Sequence, residues 1–178
     1  MYVRTLLILS LSIMCQPLLA DEPRMGPVFE EYGPTFAIDD LDVPLRKRFT
    51  YKVVFDAGTY RGGPTALNQE LVSVARYLNM HARHGVAVKY IKVAVILHGE
   101  ALKSALNDAA YESRHATANR SSDLLLKLHQ AGVSFYACGQ SMGFREIRKE
   151  ELLSPVKVAL SAMTMLTVLQ SDGYALMQ

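Results

Sequence analysis

The stretch VSFYACGQSMGF, Val133 to Phe144, joins a strand-type run to the start of a helix. Its first five residues are rich in the β-branched and aromatic types that favour an extended strand. The triplet Gly139-Gln140-Ser141 that follows is typical of a tight turn into a helix. Cys138 therefore lies at a predicted strand-to-helix junction.

Cys138 has two interpretations at such a junction. Backbone N–H groups and the helix dipole favour an anion, so the thiol is expected to ionise more easily than free cysteine and to act as a nucleophile or sulfur carrier. A lone cysteine is also among the most buried residue types and often serves as a small hydrophobe. The position alone leaves both interpretations open.

The pattern on either side of this unit alternates between strand and helix. Apolar residues recur at helical spacing from Leu67 to Leu78, and polar residues from Tyr111 to Arg120 predict a loop or short helical turns. The alternation predicts an α/β fold, a three-layer α/β/α sandwich with a mostly parallel sheet of about five strands. The predicted strands are 51–55, 90–97, 133–137, 156–160 and 174–177, and further helices lie around 124–128 and 163–169.

Three turns follow the first three strands and are expected to share one crevice. They are Asp56-Ala57-Gly58, His98-Gly99-Glu100 and Cys138-Gly139-Gln140. In an open parallel sheet, ligands bind beyond the carboxyl ends of the strands. The candidate site therefore lies at that edge of the sheet.

Within the crevice, Cys138 and His98 are the candidate catalytic residues. His98 would accept the thiol proton or place a cation beside the thiolate; the alternative is a hydrogen-bonded histidine at a strand end. Gln140, with Gly99 and Gly139, is a candidate ligand contact, and its alternative role is that of a turn residue. No cofactor and no metal site are expected.

Other motifs carry weaker signals. The run RGGPT from Arg61 lacks the Gly-Lys-Ser/Thr ending of a phosphate loop, so it is interpreted as the start of a helix. His81 and His84, one helical turn apart, more often complement a helix C-terminus than bind zinc. Asn119-Arg120-Ser121 matches a glycosylation sequon, which is a common pattern.

The N-terminal residues predict export. Residues 1–20 combine one early positive charge with an apolar run and end in Ala20, the layout of a signal peptide cleaved after that residue. We expect a periplasmic or secreted protein whose only remaining thiol is Cys138. The apolar run is shorter than the roughly 20 residues of a spanning helix, and the net charge of +2 argues against nucleic acid as a partner.

Residues 21–48 differ in texture from the α/β domain at 49–178. Four prolines within this segment prevent a regular helix. The segment, called the arm below, is expected to lie extended on the domain or on a neighbouring subunit, with Phe36 and Ile38 as edge contacts. A flexible linker is the alternative.

The runs VAVILHGEAL, GVSFYACGQSMGF and PVKVALSAMTMLTVLQSDGYAL resemble the exported branch of the DsrE/DsrF-like family, which includes the TusBCD-type sulfur-relay proteins and YchN. The resemblance covers Tyr51 to Met177. It implies the same sandwich fold and assembly as a homotrimer or homohexamer. In the cytoplasmic relay members a cysteine directly after the third strand carries a persulfide, and Cys138 occupies that position.

Three functional hypotheses follow. Cys138 receives and donates sulfane sulfur as a sulfur carrier or sulfurtransferase-like protein, with a protein or small sulfur compound as donor and acceptor. Alternatively, the chain is a non-catalytic oligomeric binding module for a small ligand or partner, or a thiol redox sensor. The turn Gly139-Gln140-Ser141 replaces small apolar residues of the relay proteins, and the leader excludes their cytosolic partners.

Overall fold

The computed structural model describes residues 22–177, so the predicted signal peptide and its cleavage site after Ala20 lie outside the described residues. A sheet of five parallel strands runs in the order β4-β3-β2-β1-β5. This arrangement confirms the predicted α/β fold. The strands are β1 (Tyr51–Ala57), β2 (Ile91–Leu97), β3 (Ser134–Cys138), β4 (Val156–Ala159) and β5 (Ala175–Met177).

Helices cover both faces of the sheet and give three layers. Leu71 and Leu78 of the first helix and Leu124 and Leu128 of the third pack against one face, whereas Leu169 of the fifth packs against the other. The helices are α1 (Gln69–Arg83), α2 (Asp108–His115), α3 (Ser122–Gln130), α4 (Gly139–Phe144) and α5 (Ala162–Ser171), with 3-10 turns at Val88–Tyr90, Gly99–Ala105 and Lys149–Glu151.

The pleat of the strands decides which side chains face α5. Successive residues of a strand point to opposite faces. Val53 and Val93 belong to the core under α1 and α3, whereas Val54, Ala94 and Cys138 belong to the core under α5. Asp56 and His98 share the even-numbered parity of Val54 and Ala94, so the pleat directs them toward the same layer as Cys138.

The region between β2 and β3 is more regular than its polar sequence indicates. Residues Asp108–His115 form a helix that begins after Asn107, whose side chain accepts a hydrogen bond from Ala110 N. Tyr111 anchors this helix because its ring is fully buried and its hydroxyl donates to Pro64 O at 2.7 Å. A single buried aromatic residue gives no apolar periodicity, which explains why the sequence predicts only a loop or short turns there.

The arm lies on its own domain, and Asn79 of α1 holds it there. Asn79 Oδ1 accepts from the N–H groups of Val28 and Phe29 at 3.0 and 2.9 Å. Asn79 Nδ2 donates to the carbonyl oxygens of Phe29, Tyr32 and Gly33. One buried side chain thus satisfies five backbone groups of a segment without regular secondary structure, which fixes the arm against α1.

Further arm contacts lie near the C-terminus of α1. Arg83 donates to the carbonyl oxygens of residues 24–26, and His84 Nε2 accepts from Ile38 N at 3.0 Å. Phe36 is about half exposed. Between residues 22 and 177 no helix is long and apolar enough to cross a bilayer.

Candidate functional site

Cys138 ends β3 and forms the N-cap of α4. Its Sγ accepts a hydrogen bond from Ser141 N at 3.5 Å, so the sulfur replaces the oxygen that a serine or aspartate N-cap would supply. The residue is 5% exposed. The predicted strand-to-helix junction is therefore present, and the sulfur lies against the first turn of the helix.

The surroundings of Cys138 favour the thiolate. Burial raises the pKa of the thiol, but hydrogen bonds to the sulfur outweigh that effect and hold the pKa below its ordinary value. The donors are the Ser141 side chain and the backbone N–H groups of Ser141, Ala162 and Gln140. A lowered pKa increases the fraction of thiolate at neutral pH, and the thiolate is the nucleophilic form of cysteine.

His98 lies beside Cys138 across the sheet. Leu97 pairs with Ala137, so His98 and Cys138 occupy the next register position of strands about 4.8 Å apart. On its other side, His98 Nε2 is 2.9 Å from Asp56 Oδ1. Asp56 Oδ1 and His98 Nε2 are both buried, and neither makes a hydrogen bond of good geometry. They are close polar neighbours whose orientation does not align a hydrogen bond between them.

Glycines allow the turns after β1 and β2 to touch. A Cβ at Gly58 would lie 2.6 Å from His98 Cε1 and 2.8 Å from His98 Nε2. Gly99 has φ +48°, and a Cβ there would lie 2.7 Å from Gly58 O, which accepts from Glu100 N at 3.0 Å. The imidazole therefore rests directly on the backbone of Gly58.

The predicted ligand contacts connect the turns to one another. Gly139 packs closely against the end of β4, because a Cβ at this position would lie only 2.8 Å from Ala159 O. Gln140 Nε2 donates to Leu160 O at 3.4 Å. Gly99 N donates to Ser141 Oγ at 3.3 Å. These contacts explain why small and polar residues occur at the three positions, and a ligand-binding role for Gly99, Gly139 and Gln140 stays a prediction.

A cavity of about 230 Å³ opens beside Cys138. Four of its lining residues come from the start of α5. Their sequence alone does not mark them as site residues, because only the crossover from β4 brings α5 over this edge. The Ser161 side chain caps α5 by accepting from Thr164 N. The lining residues are Asp56, His98, Cys138, Gln140, Ser161, Ala162, Met163 and Leu166.

The remaining sequence motifs lie away from this cavity and have structural roles. His81 is buried against Tyr77, and His84 caps α1. The Asn119 amide is buried and donates to Ser104 O and Leu106 O. The sequon asparagine is therefore inaccessible in the folded protein.

The RGGPT run does not begin a helix, and the described residues form no metal-binding cluster. The residues from Arg61 form an irregular connection, and α1 begins only after the Asn68 N-cap. Among residues 22–177, no group of three or more histidine, cysteine, aspartate or glutamate side chains is arranged to hold a metal ion.

Comparison with known proteins identifies the family of the chain and a solved structure with the same fold. A model of the DsrE/DsrF-like family matches residues 52–178, and the chain belongs to that family. The solved structure of MTH1491, a protein of unknown function from Methanobacterium thermoautotrophicum, is similar with a TM-score of 0.55 and 20% identity, over 71% of this chain and 97% of that one. At this identity the likeness shows a shared fold. No curated protein matches the chain.

Proposed function

We propose that this protein carries sulfane sulfur as a persulfide on Cys138. The main support is the position of the thiol at the end of β3. Hydrogen bonds to the sulfur lower the pKa of the thiol, and a small cavity lies beside it. Membership of the DsrE/DsrF-like family supports a sulfur-relay type of protein. His98 is the candidate proton donor and acceptor.

The proposed reaction is a transfer between sulfur atoms. The Cys138 thiolate attacks the terminal sulfur of a donor R–S–SH, a new S–S bond forms, and the donor's S–S bond breaks. The leaving thiolate R–S⁻ departs with the electron pair and takes up a proton to become R–SH. Attack by an acceptor thiolate on the outer sulfur of the Cys138 persulfide then returns the Cys138 thiolate.

Intact-mass analysis after exposure to a sulfane donor tests this reaction. Wild-type protein should gain the mass of one sulfur atom, and a reductant should remove it. Cys138→Ser should show no gain, and it should keep its fold because the replaced atom lies at a strand end.

Two results would redirect the interpretation. An inert Cys138, with no mass gain and an ordinary alkylation rate, would support the binding module instead. Reversible oxidation without persulfide would support the redox sensor. A disulfide in that case would need a partner thiol from outside residues 22–177, because Cys138 is the single cysteine there.

Export and assembly form part of the same proposal. The charged start and apolar run of residues 1–20 support delivery to the periplasm or the cell exterior. There, sulfur donor and acceptor would be a protein or small compound of that compartment. Exposed apolar side chains such as Phe144 and Leu160 support a homotrimer or homohexamer.

A further inference from the structure

The walls of the Cys138 cavity differ in chemistry from one side to the other. Ala162, Met163 and Leu166 of α5 make one wall apolar, and Asp56 and His98 lie on the other. The volume of about 230 Å³ is below the roughly 300 Å³ at which sites for drug-sized ligands begin. The cavity therefore suits a small apolar group or the end of a larger molecule.

The cavity has no positive charge to spare for an anion. None of the eight described lining residues is a lysine or arginine. The one lining side chain that can become a cation is His98, and it already faces the Asp56 carboxylate at 2.9 Å. An incoming anion would therefore meet the Asp56 carboxylate and the Cys138 thiolate, and the one residue that can balance a negative charge there, His98, already faces Asp56.

Neighbouring cations are already paired outside the cavity. Arg145 Nη2 lies 2.7 Å from Glu100 Oε1, and Lys103 Nζ lies 3.6 Å from Glu100 Oε2. The backbone N–H groups closest to the sulfur are directed at the sulfur itself. Both cations therefore face Glu100, and these backbone donors face the sulfur.

We propose that the cavity selects a neutral organic persulfide, R–S–SH with a small apolar R group, over anionic donors such as thiosulfate, and that Asp56 determines this selectivity. The inference rests on the proposed function, because it names the donor class for the persulfide on Cys138. Coulomb repulsion between like charges a few ångströms apart in a partly buried site supplies the discrimination.

The two donor classes differ in the charge of the molecule that enters the cavity and of the leaving group that departs from it. With R–S–SH, the thiolate attacks the terminal sulfur and R–S⁻ leaves, to be protonated to R–SH. With thiosulfate, the thiolate attacks the sulfane sulfur, the S–S bond breaks, and sulfite leaves with the electron pair, giving Cys138–S–S⁻. The second route brings a dianion in and sends a dianion out past Asp56, so the cavity disfavours it at both steps.

Paired alkylating reagents measure this selectivity without any sulfur donor. Iodoacetamide and iodoacetate have the same leaving group and nearly the same size, but only iodoacetate is anionic. The rate constant of iodoacetamide with Cys138 is divided by that of iodoacetate. This ratio is then divided by the same ratio for a short uncharged cysteine peptide. In wild-type protein at low salt, the normalised ratio should favour iodoacetamide by roughly three- to tenfold. Molar salt should reduce this preference.

Variants assign the effect to Asp56. Asp56→Asn keeps the side-chain shape and should bring the normalised ratio close to one. Met163→Lys, at a cavity residue that is 76% exposed and therefore tolerant of change, should also lower the ratio by adding a cation. Asp39→Asn, which removes an exposed carboxylate from the arm, is the matched control and should leave the ratio unchanged.

The outcomes separate selectivity from structural damage and from the proposed function. A damaged site would slow both reagents together, so an unchanged ratio in Asp56→Asn, or a wild-type ratio equal to that of the peptide, would overturn the proposal. Normalised to the loading rates of the same cysteine peptide, ethyl persulfide should also be favoured over thiosulfate at Cys138. Equal normalised rates would overturn only the selectivity, whereas no loading from either donor would overturn the proposed function.

Discussion

At the scale of single residues, Ser141 links the thiol to the neighbouring strand. Its N–H donates to Cys138 Sγ, and its hydroxyl accepts from Gly99 N in the turn after β2. The Ser141 side chain also contributes to the lowered pKa of Cys138. One small side chain thus couples the reactivity of the sulfur to the position of the His98 turn.

Ser141→Ala should make Cys138 less reactive at neutral pH. A thiol with a lowered pKa ionises at lower pH, so loss of a hydrogen bond to the thiolate raises the pKa and moves the alkylation profile toward alkaline pH. We expect the iodoacetamide rate at pH 7 to fall on the order of threefold to tenfold. Ser141→Thr keeps the hydroxyl and should restore most of the rate. Superimposable pH profiles for wild type and Ser141→Ala would refute the role of this hydrogen bond.

The residues of the candidate site differ in how far the sequence predicts them. Cys138 and His98 follow apolar strands directly, and the rule that parallel strands end at one edge predicts that they meet, as the structure shows. The sequence also predicts Asp56 in the crevice, without a role of its own. It predicts Met163 and Leu166 only as part of a helix, because their place over the cavity depends on a crossover that local sequence does not encode.

At the scale of elements, the arm approaches α1 at Gly33. Gly33 has φ +66°, and a Cβ there would lie 2.3 Å from Arg76 N and 2.7 Å from Ala75 C. The carbonyl of Gly33 also accepts from Asn79 Nδ2 at 2.9 Å. The close contact between the Gly33 backbone and α1 therefore brings the arm within reach of the Asn79 side chain, and the Asn79 hydrogen bonds hold that contact in place.

Gly33→Ala should destabilise the domain much more than an equivalent change elsewhere. The new methyl group would push the arm away from α1 and strip the buried Asn79 side chain of partners, at a cost of about 2–4 kcal/mol in the free energy of unfolding. Gly63→Ala is the matched control, since Gly63 has φ +77° and nothing within 4 Å of the new Cβ. It should cost only about 1 kcal/mol of backbone strain. Urea denaturation measures both, and equal losses would contradict the proposed contact.

The elements themselves were largely predictable, for identifiable reasons. β2 is IKVAVIL and is apolar on both faces, as expected for a central parallel strand. The short β5 was also predicted, and it pairs with β1. The arm was predicted to be extended, but its attachment to α1 could not be, because Asn79 looks like any polar residue on an amphipathic helix until its partners are in place.

At the scale of the whole molecule, β4 is an edge strand whose border carries exposed apolar side chains next to the exposed Lys157. Val158 is 43% exposed, and Leu160 just beyond the strand is 71% exposed. A sheet edge with exposed apolar side chains is a surface that other chains readily cover. This border favours the proposed homo-oligomer.

Light scattering on the eluting protein tests the assembly. Wild-type protein at micromolar concentration should have the mass of a trimer or hexamer, and Leu160→Glu should reduce it because a buried unpaired charge disfavours the contact. Val43→Glu, at an 80% exposed arm residue, tests whether the arm contributes to the same interface. A wild-type protein that elutes as a monomer would rule the assembly out.

The opposite placement of the arm and the cavity has a practical consequence. The arm is fixed to α1 on one face of the sheet, whereas the cavity opens under α5 on the other. A linker attached at residue 22 would therefore leave the molecule on the side away from Cys138. Protein immobilised through that end on a bead or sensor chip would leave the cavity beside Cys138 open to the bulk solution, so reagents and candidate acceptors could be passed over it in turn.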